Sequence, residues 1–358
     1  MAKRPEDIIR EEIAAMAGYR VPDASGMVKL DAMENPYSLP SALRPEIARA
    51  LDEASYNRYP DSGATRLKAR LREAMAVPAD MEIAVGNGSD ELIQTTMLAV
   101  GRCGAVVLGV EPSFVMFRLI ATFCGLRYVG VPLAPDFELD ADRVLQQIAV
   151  HRPPLVIIAY PNNPTGNLFD AAAIERIIEA APGAVLVDEA YHAFAGHSFM
   201  PRLADFDNLL VMRTLSKLGL AGLRLGVLAG PQHWLRHIDK VRLPYNVNVL
   251  TQTIAERVLR QPQLFTEQAA LIVAERARLF RELTAIPDVH PYPSAANFVS
   301  FRVPDADAVF AGLKARGVLI RNLNGSHPAL AQCLRVTVGT AGENSQFLGA
   351  LKDALTAR

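Results

Sequence analysis

The sequence predicts an α/β fold in which a large domain, built on a mostly parallel seven-stranded sheet flanked by helices, is followed by a smaller α+β domain. Three observations predict it. At 358 residues the chain exceeds the size at which one hydrophobic core keeps growing, so two domains with a site between them are expected. Half of its residues are hydrophobic, enough for a large core. From Ile83 to Gly230, short runs rich in Val, Ile and Leu alternate with helical segments, as strands buried on both faces require.

Taken in order, residues 5–17 place Pro5 at a helix start and Ile8, Ile9, Ile13 and Met16 near one face, which predicts a short amphipathic arm that must dock on something. A turn-rich stretch runs from Leu30 to Pro45. The strand candidates are Ile83–Gly86, Ala105–Val110, Arg127–Pro132, Leu155–Ala159, Ala184–Val187, Leu209–Arg213 and Leu225–Ala229. After Pro244 the pattern changes to one long helix over Val249–Glu282. Strands at Asn297–Arg302 and Leu334–Val338 follow, separated by a helix near Ala306–Arg316. The chain contains no internal repeat or low-complexity segment.

A formal net charge of -1 with dispersed basic residues removes the electrostatic case for nucleic acid. Cys103, Cys124 and Cys333 lie far apart, which argues against a disulfide framework or a zinc site and fits a reducing cytoplasm. The N-terminus turns acidic where a signal peptide needs an apolar core, and no apolar stretch reaches the ~18–20 residues of a membrane span. The expected partner is a small molecule.

Ligands of open parallel sheets bind beyond the carboxyl ends of the strands, so the polar residues just after the apolar runs are the ones to read. Gly86-Asn87-Gly88-Ser89-Asp90-Glu91 opens a helix, either as a capped turn or as a phosphate cradle of backbone amides and Ser89 with both acids pointing away. Asn162-Asn163-Pro164-Thr165-Gly166 is an ordinary turn or a set of amide donors. Asp188 ends a buried strand, as a helix cap or as the partner of a cation, which a pyridinium nitrogen would supply. Tyr191 is a packing residue or a hydroxyl for a ring oxygen. Lys217, flanked by Thr214 and Ser216, is an amine able to form an imine with an aldehyde, and Arg224 offers a charge-assisted fork. An amide, a carboxylate and an amine in this order along the chain describe a pyridoxal phosphate site.

With these motifs, the chain over nearly its whole length resembles the fold type I pyridoxal phosphate aminotransferases, and within them the histidinol-phosphate aminotransferase family. The resemblance is carried further by Met33-Glu34-Asn35-Pro36-Tyr37, Arg58-Tyr59-Pro60-Asp61, Gly222-Leu223-Arg224, Arg321-Asn322 and Leu334-Arg335-Val336-Thr337-Val338-Gly339. It implies that Lys217 carries the cofactor, that Asp188 pairs with the ring nitrogen, and that Asn163 and Tyr191 hold the ring oxygen. Ser89, the Asp90 amide, Thr214 or Ser216, and Arg224 are implied for the phosphate, and Phe114 for stacking on the ring, where the pattern commonly has tyrosine. The loop from Lys217 to Arg224 is one residue shorter than the commoner form. Arg335 is implied for a substrate carboxylate or phosphate, Arg321 with Tyr37 for a further phosphate contact, and Asn163 for the substrate as well. Tyr59 is implied to reach the cofactor phosphate of a neighbouring subunit in a homodimer. The resemblance also implies an arm (1–35) shared between small domain and dimer contact, a large cofactor domain (36–245) and a small domain (246–358). The implied reaction is transamination of L-histidinol phosphate with 2-oxoglutarate.

An aminotransferase for aromatic amino acids would keep every cofactor residue and Arg335, so Arg321 and Tyr37 carry the substrate choice. A phosphothreonine decarboxylase of the same subfamily would also need a phosphate site. A non-catalytic binding protein on this fold would often lack Lys217, and a dinucleotide-binding dehydrogenase would need Gly-x-Gly-x-x-Gly at the first turn, which is absent.

Overall fold

The structure, a computed structural model, describes residues 4–18 and 22–356. Residues 1–3, part of the stretch read against a signal peptide, lie outside it. Strand β1 is Val28–Lys29. The large sheet comprises β2 (Glu82–Gly86), β3 (Val106–Glu111), β4 (Arg127–Pro132), β5 (Leu155–Ala159), β6 (Ala184–Asp188), β7 (Leu209–Thr214) and β8 (Gly226–Gly230). Each lies within a residue of its expected position. Farther on come β9 (His290–Pro291), β10 (Phe298–Arg302), β11 (Val318–Leu319), β12 (Arg321–Asn322) and β13 (Cys333–Thr337).

The large sheet has the order β2-β8-β7-β6-β5-β3-β4, with β8 antiparallel to both neighbours and the other pairs parallel. The carboxyl ends of β2, β3, β5, β6 and β7 therefore share one edge. The chain steps outward from β3 to β4 and then returns to the other side of β3 for β5. The loops after β3 and β5 thus part, leaving the crevice where such sheets bind ligands. Burial explains the apolar runs: β5 to β8 are buried at every position. One face packs Val156, Val185 and Val211 with Leu67 and Leu71 of the helix Thr65–Met75; the other packs Ile157, Leu186 and Leu210 with Ile93 and Met97 of the helix Ser89–Val100. Ala255, Val258, Leu259 and Phe265 join the first of these clusters.

A separate cluster gathers Ile272, Phe298, Phe301, Val309, Leu334 and Phe347 around the sheet β12-β13-β10-β9. The N-terminal segment belongs to it physically: β1 pairs with β11, and Leu30 and Met33 are buried there.

Two expectations need correcting. The long helix over Val249–Glu282 is two helices, Val249–Val258 and Gln263–Thr284, because Pro262 has no N–H to donate and disfavours helix in the residue before it. The arm is not one helix either. It is a 3₁₀ turn at Pro5–Asp7 and one α-turn at Glu11–Ala14, leaving Ile8 and Ile9 72% and 47% exposed. A segment this short does not offset the cost of helix nucleation. It docks through Arg10, whose guanidinium donates to the Phe123 carbonyl at 2.9 Å, at the end of the helix Met116–Phe123.

Candidate active site

The loops at the shared edge converge on one cavity. Lys217 follows β7 and lies in its wall with Thr214 and Ser216; Asp188 and Tyr191 come from the tip of β6, Asn163 from the loop after β5 and Phe114 from the loop after β3. Ser89, Asp90 and Arg224 close the far end. Separated by as much as 135 positions in the chain, these residues meet because parallel strands carry every one of those loops to the same side.

Burial sets the electrostatics. The Lys217 amine is lowered to about 8 by burial and then by the Arg335 charge, against the opposing pull of Glu34 and Asp90. Its Nζ donates to the Ala32 carbonyl at 2.9 Å. The Asp188 carboxyl is pushed up to about 7 by burial, although the Ala190 amide donates to it at 3.0 Å and Lys217 favours its charge. The residue is 5% exposed. The cavity therefore holds an amine of reduced basicity and a carboxylate with too few partners.

The far end brings a guanidinium, hydroxyls and the start of a helix together. Gly88 has φ of +91°, and a Cβ there would lie 2.5 Å from Arg224 Nη2. The guanidinium thus packs directly against the turn that presents the first amides of the helix Ser89–Val100. Arg224 Nη1 donates to Ser216 Oγ at 3.4 Å, and Thr214 Oγ1 lies 3.0 Å from Ser216 Oγ. The expectation that both acids point away holds only for Glu91, which accepts from Asn87 N and from Asn246 Nδ2. Asp90 lines the cavity instead, with Oδ2 3.9 Å from Arg224 Nη2, and burial raises its pKa.

The sequence pattern of the aminotransferase class I and II family matches residues 25–351. The chain belongs to that family. Histidinol-phosphate aminotransferase 2 of Nitrosococcus oceani is 56% identical over 346 residues, 96% of each chain, and that of Cupriavidus pinatubonensis is 55% identical over 98% of this chain and 97% of the relative. The solved histidinol-phosphate aminotransferase of Sinorhizobium meliloti, in complex with pyridoxal-5′-phosphate, is similar with a TM-score of 0.86 at 25% identity, covering 98% of both chains. The fold type I architecture expected from the sequence is the one found.

In this aminotransferase a second cavity of about 340 Å³ adjoins the first, sharing Met33, Phe114 and Asn163. Arg321 and Arg335 both line it. They sit opposite each other in the antiparallel pair β12–β13, so their side chains leave the same face of the small sheet. Arg335 is buried over the Phe298 ring, donates to Asn163 Oδ1 at 2.5 Å and to the Asp31 carbonyl at 3.1 Å. That leaves Asn163 Nδ2 as the donor end of the amide.

Two expected residues lie elsewhere in the single chain. Tyr59 is 80% exposed and stacks on Tyr245 at 4.3 Å. Tyr37 is half-buried against the small cluster, and burial together with the Glu275 and Glu343 charges raises its pKa. Sequence reading missed the carbonyls of Asp31 and Ala32, which accept from Arg335 and Lys217, and Met33, which lines both cavities. It also missed the buried pair Glu189–Arg213 behind Asp188. The signal for Met33 was its place in Met33-Glu34-Asn35-Pro36-Tyr37; backbone acceptors leave no trace in residue types.

Proposed function

We propose that this aminotransferase uses pyridoxal 5′-phosphate, carried on Lys217, to move the amino group of L-histidinol phosphate to 2-oxoglutarate, giving imidazole acetol phosphate and L-glutamate in histidine biosynthesis. The observation that carries the substrate reading is the register of Arg321 against Arg335 at one cavity beside Lys217. Two guanidinium forks suit a phosphate dianion, and one suits a carboxylate. The names borne by relatives at 55–56% identity support the same substrate.

The residues fit the cofactor. Asp188 is a buried carboxylate in need of a cation, which a protonated ring nitrogen provides. The Gly88–Ser89 turn, Ser216, Thr214 and Arg224 form a cradle for its phosphate, with the Arg224 charge offsetting Asp90. Phe114 supplies an apolar face, and the Asn163 amide and Tyr191 hydroxyl supply donors for the ring oxygen. When bound, pyridoxal phosphate supplies a carbonyl carbon that condenses with amines and a cationic ring that takes up electron density. Lys217 Nζ, of lowered basicity, would take the proton of the donor's amine-bearing carbon and pass it to the cofactor's carbonyl carbon, and would run the same transfer in reverse in the second half of the cycle. Arg335 orients the α-carboxylate of glutamate and 2-oxoglutarate, while Arg321 adds the second fork that the donor phosphate needs.

The working unit we propose is a homodimer in the cytoplasm. Tyr56, Tyr59, Leu243 and Tyr245 are exposed apolar groups that a second copy would cover. The three cysteines are free, and among the described residues no helix is long and apolar enough to cross a membrane. The test is a comparison of histidinol phosphate, phenylalanine and phosphothreonine as donors to 2-oxoglutarate. Glutamate should form fastest from histidinol phosphate. A preference for phenylalanine, or CO₂ released from phosphothreonine, would overturn the substrate reading.

A further inference from the structure

Directly behind the site, on the other face of the large sheet, lies an ion pair that the reaction as described does not use. Glu189 follows Asp188 at the tip of β6, and Arg213 precedes Thr214 at the tip of β7. Their side chains are 0% and 7% exposed, with 2.9 Å between Arg213 Nη2 and Glu189 Oε2. Arg213 Nε also donates to Glu189 Oε2 at 2.9 Å, Nη1 to the Met75 carbonyl at 2.9 Å and Nη2 to Ser198 Oγ at 2.7 Å. Glu189 Oε1 accepts from the Phe199 amide at 2.5 Å and from Ser198 Oγ at 2.9 Å.

Such a pair is a poor stabiliser, because desolvating both charges offsets most of their attraction and apolar replacements are often neutral. Its placement points to another use. It joins the strand that ends in Asp188 to the strand that leads to Lys217, where Glu189 N already donates to the Met212 carbonyl at 2.7 Å. It also sets a buried carboxylate one residue from Asp188. We propose that Arg213 and Glu189 are positioning residues for amino transfer: the pair fixes the spacing of Asp188 and Lys217, and Arg213 shields the cofactor site from the Glu189 charge. The inference rests on the pyridoxal phosphate reading above.

The other charges acting on the site are Asp90 and Lys217 upon Asp188, and Arg335, Glu34, Asp90 and Arg224 upon Lys217. His192, whose Nδ1 is 3.1 Å from the Glu189 carbonyl oxygen, is held neutral by burial and then by Arg213, with its pKa lowered to about 3. It adds no charge near neutral pH. The pair can therefore be altered one charge at a time, and the two changes have opposite signs.

The experiment titrates the cofactor's visible absorption with pH in wild-type holoenzyme, Arg213→Met, Glu189→Gln and the double variant, with kcat and KM measured alongside. Arg213→Met adds net negative charge at the site and should raise the midpoint by about one unit, the effect of one charge at ~10 Å at an effective dielectric of ~20. Glu189→Gln should lower it, and the double variant should return it to the wild-type value. In Arg213→Met, kcat should fall about tenfold or more while the donor KM stays within about threefold, as for a lost positioning effect. Midpoints that do not move, or that move the same way in both single variants, overturn the proposal. If Arg213→Met does not fold, the isosteric Glu189→Gln decides alone: a lowered midpoint supports the proposal and an unmoved one overturns it. A wild-type protein with no cofactor band or no amino transfer would instead overturn the function proposed above.

Discussion

Asp188 and Lys217 are an acid and a base whose burial moves both toward neutrality. The sign of the Asp188 effect on stability follows from its raised pKa. In the cofactor-free protein, the carboxyl keeps its proton between about pH 4, the unfolded value, and about pH 7. Its stability contribution is present in full below that window and is lost as pH rises through 7. Asp188→Asn removes the charge without changing the shape. Cofactor-free Asp188→Asn should thus melt a few degrees above cofactor-free wild type at pH 8, with the gap closing toward pH 4; equal melting points at pH 8 would contradict this. The loaded variant should lose turnover far more than substrate affinity, because the ring's positive charge matters most as negative charge develops. Lys217→Ala should abolish transamination and the covalent capture of pyridoxal phosphate by borohydride, read by mass spectrometry. Capture at an unchanged level would move the cofactor to another amine.

The turn Gly86–Ser89 is the element on which the proposed phosphate cradle depends. A side chain at Gly88 is opposed by its φ of +91° and by Arg224 Nη2, 2.5 Å from where a Cβ would stand. Gly88→Ala should displace the guanidinium and cost roughly 1–3 kcal/mol, a rise of about fivefold to a hundredfold in the Kd for pyridoxal phosphate by absorbance titration. An unchanged Kd would remove the turn from the cradle. At this scale the sequence was legible where short apolar runs recur: the seven strands of the large sheet were each readable as such a run, and the residues just after β2, β3, β5, β6 and β7 are the ones that meet in the cavity. It was not legible where an element is too short to show a period. Strands β1 and β12 are two residues each, yet β12 sets Arg321 against Arg335. The break at Pro262 was written in the sequence but outweighed there by the apolar spacing on either side. The Glu189–Arg213 pair and the carbonyl acceptors at Asp31 and Ala32 depend on long-range packing that no local pattern carries.

For the whole molecule, the two cavities join across the boundary between the large-sheet loops and the small sheet, and one chain leaves Tyr37 and Tyr59 outside both. A second copy that brings them in would make each pocket a joint product. Sedimentation at assay concentration should give a dimer, and mixed Tyr59→Ala and Lys217→Ala proteins should regain part of the activity each lacks; a fully active monomer would refute this. If, as proposed, one phosphate is read by two facing guanidinium groups, the most direct measurement is the ratio of kcat/KM for histidinol phosphate to that for phenylalanine in wild type and Arg321→Ala. Losing one charge-assisted contact should cost about 1.5–3 kcal/mol on the phosphorylated donor alone, lowering the ratio roughly tenfold to a hundredfold. An unchanged ratio, with both donors impaired equally, would show that Arg321 does not read the phosphate.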